Sequence, residues 1–209
     1  MAAAVTIRRR IAVVAIALAI LVPAVRAQEP GGIVFVGSSI FHRWTALTAQ
    51  MAPLPVSNVS LDGGMTYEML GLLGSRVLPL KPRVVAYYAG SNDVDLDEPA
   101  NAVVGRVVQF IDRLEAALPR THVVYVSVIR SPDHADRWKV IDQINQQIQK
   151  YATTHLLVHF VDVNPLLVDA AGKPRFDLYM PDERHLRPAA YVEVAKIVKP
   201  MLEQVLGAP

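Results

Sequence analysis

Five short apolar runs, rich in β-branched residues and separated by stretches with helical spacing, limit this chain to one kind of fold. The runs are Ile33–Val36, Val56–Leu61, Val84–Ala89, Val123–Val128 and Val158–Val161. Near-continuous apolar runs of this length are the pattern of strands covered on both faces. Between them, Val103, Val107, Ile111, Leu114 and Leu118 recur at helical spacing, and so do Ile141, Ile144, Ile148 and Tyr151. A last stripe follows Pro188 and runs through Tyr191, Val194, Val198, Met201 and Val205. Such stripes are core faces of amphipathic helices. Strand–helix alternation requires crossover connections, which are right-handed and give a parallel sheet. The expectation is an α/β fold: a three-layer α/β/α sandwich with a five-stranded parallel sheet, built as one domain over residues 28–209.

The first 27 residues read differently. Arg8, Arg9 and Arg10 precede an apolar run from Ile11 to Val25, which is short for a bilayer span. Val25-Arg26-Ala27 then offers a small residue at a cleavage point before Gln28. Basic, apolar, small-residue is the order of a secretory signal peptide, and residues 1–27 are assigned as one. An uncleaved anchor is the competing reading, disfavoured because Pro23 and Ala27 end the run early. The paired arginines leave twin-arginine export open. The expected location is secreted or periplasmic, with no stable membrane insertion after cleavage.

Charge depends on this assignment. The formal net charge is +2, but residues 1–27 hold four arginines and no acid, so the remainder carries −2. That balance argues against a nucleic-acid partner. The sequence has no cysteine, which excludes disulfides, thiol catalysis and cysteine-ligated metal. Oligomeric state is not legible.

In an open parallel sheet, ligands bind outside the carboxyl ends of the strands, so the segments leaving those ends carry the chemistry. Gly37-Ser38-Ser39-Ile40 leaves the first strand, Asp62-Gly63-Gly64 the second and Gly90-Ser91-Asn92-Asp93 the third. Asp182-Glu183-Arg184-His185 comes after the fifth, past a turn at 170–173. Together they offer a hydroxyl, exposed backbone amides, a carboxamide, and a carboxylate with an imidazole. These are the parts needed for acyl transfer. Each has a plainer reading alone. Ser38 or Ser39 caps a helix, the glycines make a turn, and Asn92 makes an Asx turn. Asn92 also donates N–H bonds without titrating, which suits an oxyanion hole. Asp182 and His185 lie three apart, close together if the loop forms a helical turn.

Other polar residues have duller explanations. Asp93, Asp95 and Asp97 alternate like a calcium loop, but position six is Glu98 and position twelve Val104, which fails the pattern. His42, His122 and His155 fall near helix ends or surface turns, and His159 falls within a strand as core or edge. His134 comes after the fourth strand and could face the cleft, with packing the preferred reading. Trp44, Met65, Tyr67, Arg130 and Tyr179 are candidates for the cleft wall, each equally explained by packing.

Ile33-Val34-Phe35-Val36-Gly37-Ser38-Ser39-Ile40, with Trp44 beyond, resembles the first block of the SGNH (GDSL-like) hydrolase family. The Gly63 segment resembles the second block, Gly90–Asp93 is similar to the G-x-N-D third block, and Asp182–His185 to the D-x-x-H fifth block. The match spans nearly all of 28–209. It implies a flavodoxin-like sandwich and a serine esterase. One departure is that Ser38 stands where the family's first block has aspartate. The residue after that position is the expected nucleophile, hence Ser39, with Ser38 as the alternative. The second glycine donor is Gly63 by counting from Asn58, with Gly64 the alternative.

The resemblance implies catalytic Ser39, Asp182 and His185, and an oxyanion hole from the amides of Ser39 and Gly63 with the Asn92 side chain. Two-step hydrolysis through an acyl-enzyme would need no metal or organic cofactor. Short loops with no evident lid favour small acyl groups, such as O-acetyl on carbohydrate. Lysophospholipase or thioesterase activity, acyl transfer on the same triad, and a catalytically silent carbohydrate-binding domain are the alternatives.

Overall fold

A computed structural model describes residues 31–207; the expected signal peptide lies outside the described residues. Five strands form, β1 (Ile33–Gly37), β2 (Val56–Asn58), β3 (Val84–Tyr88), β4 (His122–Val126) and β5 (Val158–Val161). They make one sheet in the order β2-β1-β3-β4-β5, and every pair is parallel. The helices are α1 (Ser39–His42), α2 (Leu47–Met51), α3 (Thr66–Leu72), α4 (Ser91–Asp95), α5 (Ala100–Ala117), α6 (Trp138–Ala152) and α7 (Pro188–Leu206). Among the described residues no helix is long and apolar enough to cross a membrane.

The period-two alternation of the strands sorts the core into two layers. Ile33 and Phe35, with Val84, Ala86, Tyr88, Val124 and Val126, face α1, α2 and α7. Val34 and Val36, with Val85, Tyr87, Val123 and Tyr125, face α3, α5 and α6. Aromatic rings pin the first layer: Trp44 stacks on Tyr191 at 5.1 Å, and Phe41 lies 5.0 Å from Phe35. Burying each such side chain contributes roughly 1.5–3 kcal/mol. The three-layer α/β/α sandwich is as expected.

Two details differ. The central strands β1 and β3 are fully buried, but the edge strand β2 is half-open along its length. It also ends three residues earlier than its apolar run. Asn58 turns the chain there, because its Nδ2 donates to the Phe41 carbonyl and its Oδ1 accepts the Ser60 amide. The second difference is α3, continued by a π turn at Leu73–Val77 and a 3₁₀ turn at Leu78–Leu80. Met69, Leu73 and Val77 are buried at four-residue spacing, but Gly71, Gly74 and Pro79 break up the helical signature in sequence.

The strand order positions the site. From β1 the chain moves one way to β2, then crosses back to place β3 on β1's other side. Loops after β1 and β3 therefore leave in opposite directions and open a crevice at the carboxyl ends of these two strands.

Candidate active site

Gly37 ends β1 where no side chain fits. A Cβ there would lie 2.2 Å from the Tyr88 carbonyl oxygen of the paired strand. This close approach lets the chain turn from β1 directly into α1. Ser38 is the cap and Ser39 the first helical residue, so the Ser39 amide has no carbonyl one turn behind it. Ser38 is completely buried and its hydroxyl has no hydrogen-bond partner among the described residues. Ser39 points toward the 179–186 segment instead: its Oγ lies 3.0 Å from His185 Nε2. The hydroxyl that meets the imidazole is therefore that of Ser39, not that of Ser38.

Asp182 and His185 come together, but without the helical turn considered from sequence. Residues 179–186 form a tight hairpin closed by a Tyr179–Leu186 bridge and by the Met180 amide on the His185 carbonyl. Asp182 builds the turn itself. Its Oδ1 accepts the amides of Arg184 and His185 at 3.1 and 3.0 Å, which is Asx-turn geometry. Its Oδ2 lies 2.7 Å from His185 Nδ1. A carboxylate only accepts, so Nδ1 carries the proton and the Nε2 lone pair faces the Ser39 hydroxyl. Burial pushes the Asp182 carboxyl up. The His185 ring bond and the two backbone amides outweigh this and hold it well below its ordinary value.

The remaining segments gather beside this pair. The Leu61 amide donates to the Gly37 carbonyl, tying the glycine turn to the end of β1. Gly63 sits at φ +70, a conformation that favours glycine, and its amide makes no backbone hydrogen bond among the described residues. The Gly64 amide, by contrast, is bonded to the Leu61 carbonyl at 3.1 Å. Asn92, on α4, donates from Nδ2 to the Gly64 carbonyl at 2.9 Å; its second Nδ2 proton remains for another acceptor. The exposed Arg43 holds Asp62 with two bonds of 3.0 and 3.1 Å, bracing the turn from α1. That hydrogen bond, above all else, lowers the Asp62 carboxyl below its ordinary value.

Most candidate wall residues take the packing role. Trp44 and Tyr179 are buried, with Trp44 Nε1 on Gln50 and the Tyr179 hydroxyl on the Arg130 carbonyl. Arg130 pairs with Asp142 at 2.5 Å. Met65 is half-buried at the N-cap of α3, its amide bonded to Glu68. Tyr67 alone among the five is strongly exposed.

The histidines away from the hairpin are occupied elsewhere. His42 bonds the Ser60 carbonyl, and His155 bonds the Tyr151 carbonyl beside a ring stack. His122 opens β4 rather than lying in a turn, and it pairs with His159 of the edge strand β5 at 3.0 Å.

Sequence reasoning missed a set of charged residues behind the site. Asp93 is completely buried, accepting the Thr66 amide and hydroxyl and Arg106. This fastens the start of α3 to α4. Asp95 binds His134 and Arg184, while Asp97 pairs with Arg137. The three alternating carboxylates thus serve three different partners. A partial signal was present, since Arg184 lies inside the Asp182–His185 motif.

A hydroxyl, an imidazole and a carboxylate aligned at the switch point of a parallel α/β sheet define the class of serine hydrolases. The chain belongs to the GDSL-like lipase/acylhydrolase family, whose sequence profile matches residues 27–192. It is accordingly an ester-hydrolysing serine hydrolase of the SGNH type. No curated protein matches the sequence. Solved structures share the fold. A Streptococcus pneumonia protein named for platelet activating factor has a TM-score of 0.75 at 23% identity, over 85% of this chain and 86% of that one. A carbohydrate esterase family 3 protein from Talaromyces cellulolyticus has a TM-score of 0.68 at 18% identity, over 84% and 98%. An acetyl esterase solved with an acetate ion has a TM-score of 0.66 at 19% identity, over 84% and 98%.

Proposed function

We propose that this chain is an exported esterase that cleaves small acyl esters, O-acetyl groups on carbohydrate among them, through an acyl-enzyme on Ser39. The carrying observation is the unbroken relay from Ser39 Oγ to His185 Nε2 at 3.0 Å and from His185 Nδ1 to Asp182 at 2.7 Å. In this reading His185 takes the Ser39 proton as Oγ attacks the acyl carbonyl, then delivers it to the leaving alcohol. Asp182 fixes the tautomer and stabilises the imidazolium. The amides of Ser39 and Gly63 and the free Nδ2 proton of Asn92 receive the negative charge that develops on the carbonyl oxygen. Each such donor is worth about 3 kcal/mol in the transition state. Water then releases the acid.

The substrate preference rests on the openness of the site. Asp182 and Gly63 are both exposed. A long acyl chain gains affinity by burying methylene groups, and an open rim offers little burial. The acetyl and carbohydrate esterases among the structures sharing the fold agree with this choice. Export rests on residues 1–27 alone.

The test uses the protein with residues 1–27 removed. Hydrolysis of p-nitrophenyl acetate should exceed that of the octanoate ester and should vanish in Ser39→Ala. Full activity in Ser39→Ala would overturn the mechanism, and an optimum at octanoate or longer would overturn the acyl preference. Fractionation of expressing cells should find the full-length chain shortened and outside the cytoplasm; an unprocessed cytoplasmic product would overturn export.

A further inference from the structure

Behind the hairpin, five side chains from three separate segments close into a ring of hydrogen bonds. Arg184 Nη1 and Nη2 donate to Asp95 at 2.6 and 3.2 Å, and its Nε donates to Asp133 at 2.5 Å. Ser131 donates its hydroxyl to the other oxygen of Asp133 at 2.5 Å. Ser131 Oγ also lies 3.0 Å from His134 Nδ1, and His134 Nε2 meets Asp95, which completes the circuit. The serine has one proton and gives it to Asp133, so full closure takes a proton on each His134 nitrogen. His134 and Ser131 are almost wholly buried. The Asp133 amide reaches the Glu183 carbonyl at 3.4 Å, adding a backbone tie to the same hairpin.

The placement of the ring gives it meaning. Asp95 lies three residues beyond Asn92 on α4. Ser131, Asp133 and His134 lie in the connection after β4. Arg184 stands between Asp182 and His185. One planar guanidinium, locked by two carboxylates, therefore joins the imidazole-bearing hairpin to the helix carrying the carboxamide. A guanidinium presents its donors in a rigid planar fork that holds two carboxylates in fixed directions, whereas an ammonium is a point charge without that geometry. The hairpin's own bonds fix its shape, but the hairpin lies on the surface, with Pro181, Asp182 and Glu183 all exposed. Tyr179 and Leu186 anchor its base in the core, while at its tip the side-chain link to the loop after β4 and to α4 runs through Arg184.

We propose that Arg184 is a positioning residue. It acts through His185, setting the distance and direction of the imidazole relative to Ser39 and Asn92, and Asp95 and Asp133 are its anchors. This rests on the reading of Ser39, His185 and Asp182 given above. The Arg184 backbone amide bonds Asp182 in any variant, so side-chain substitutions isolate the guanidinium.

The experiment measures kcat and KM for p-nitrophenyl acetate, together with the rate at which a fluorophosphonate labels Ser39. The proteins compared are the parent, Ser39→Ala, Arg184→Met and Arg184→Lys. Displacing a reacting group by about 1 Å costs about 10²-fold. Arg184→Met should therefore lose about that factor in kcat and in labelling rate, with KM within threefold of the parent. Arg184→Lys, which reaches one carboxylate, should fall between the two. Adding Asp95→Asn to Arg184→Met should cost little more in kcat, because the partner is already lost. Parent-like kcat in Arg184→Met, with Ser39→Ala inactive, overturns the positioning role and leaves the esterase reading standing. If Arg184→Met fails to fold, Arg184→Lys decides. Reduced kcat at unchanged KM supports the proposal and parent-like kcat overturns it. A parent no more active than Ser39→Ala removes the esterase reading and the proposal together.

Discussion

Replacing Asp182 with asparagine changes one atom and should disable the enzyme by reversing a hydrogen bond. In the native turn, Oδ1 accepts the amides of Arg184 and His185, and Oδ2 faces His185 Nδ1. Asparagine has one oxygen and one amino group. If its oxygen keeps the two amides, its amino group points at Nδ1, which must then accept. The ring proton moves to Nε2, facing Ser39, and the base cannot take the serine proton. The flipped carboxamide keeps the useful tautomer but loses both amide bonds, roughly 2–3 kcal/mol at about 1–1.5 kcal/mol each. At 1.36 kcal/mol per decade, that disfavours the active arrangement by about 10²-fold. Loss of imidazolium stabilisation adds to this, and in the general Ser-His-Asp scheme the same exchange costs about 10⁴. Asp182→Asn should thus lower kcat by about 10² to 10⁴. Loss of the exposed Asp182–His185 contact cannot account for this. The Asp182 side chain is 49% exposed, and such a pair is worth about 1 kcal/mol at most. Unfolding in urea should accordingly change little. Steady-state kinetics gives the rate, and a long-range ¹H–¹⁵N spectrum of the histidines reports which His185 nitrogen is protonated. A loss below tenfold, or a large loss with the proton still on Nδ1, would refute the reasoning.

Gly37→Ala should cost at least about 3 kcal/mol, because the new methyl would meet the Tyr88 carbonyl at 2.2 Å where neither paired strand can give way; a urea midpoint near that of the parent would contradict this. Ser38→Ala should raise stability by up to about 1 kcal/mol, since it removes a buried hydroxyl without a partner, and should leave kcat/KM within threefold; a collapse in activity would return Ser38 to the chemistry. Asp62 has a folded pKa below its unfolded value of 3.8. Its contribution is therefore present above about pH 4 and lost as pH falls through the folded value. Asp62→Asn should narrow the difference in unfolding free energy between pH 6 and pH 3 by about 0.2–1 kcal/mol, the range for an exposed pair; an unchanged difference would show that the Arg43 bond contributes nothing in solution.

Much of this architecture was legible in sequence because it depends on local periodicity. β5 matches its apolar run residue for residue, and α5, α6 and α7 bury most of the stripes that marked them, with Leu118, Tyr151 and Met201 half-buried. Reading the loops after β1, β3 and β5 as one cluster worked for the same reason, since the topology of a parallel sheet brings its carboxyl ends to one edge. What escaped was pairing between distant residues. Asp93, Asp95 and Asp97 look alike in sequence, and their difference lies in partners from other elements, such as Thr66 and Arg184. Hydrogen-bond satisfaction of a buried carboxylate is decided by tertiary packing, and no local spacing encodes it. The helical turn considered for Asp182–His185 failed on a related point. An aspartate competes for backbone amides, and here Asp182 takes two of them and makes an Asx turn.

These two kinds of information meet at the switch point. The reversal of strand order between β1 and β3 creates the crevice, and it separates the loops that must cooperate there. Ser39 leaves β1 toward one face and Asn92 leaves β3 toward the other, while His185 arrives from beyond β5, at the far edge. Nothing in a parallel sheet holds three such loops in register to within a few tenths of an ångström. Here the ties are side-chain bonds that cross between loops: Asn92 on the Gly64 carbonyl, Asp93 on Thr66, and Arg184 on Asp95 and Asp133. All but the Arg184–Asp133 bond join α4 to another segment. The segment after β3 is therefore the hub of the site. Substitutions of Asn92 and Asp95 should reduce kcat more than they reduce stability, whereas substitutions in the core of β3, such as Ala86 or Tyr87, should do the reverse.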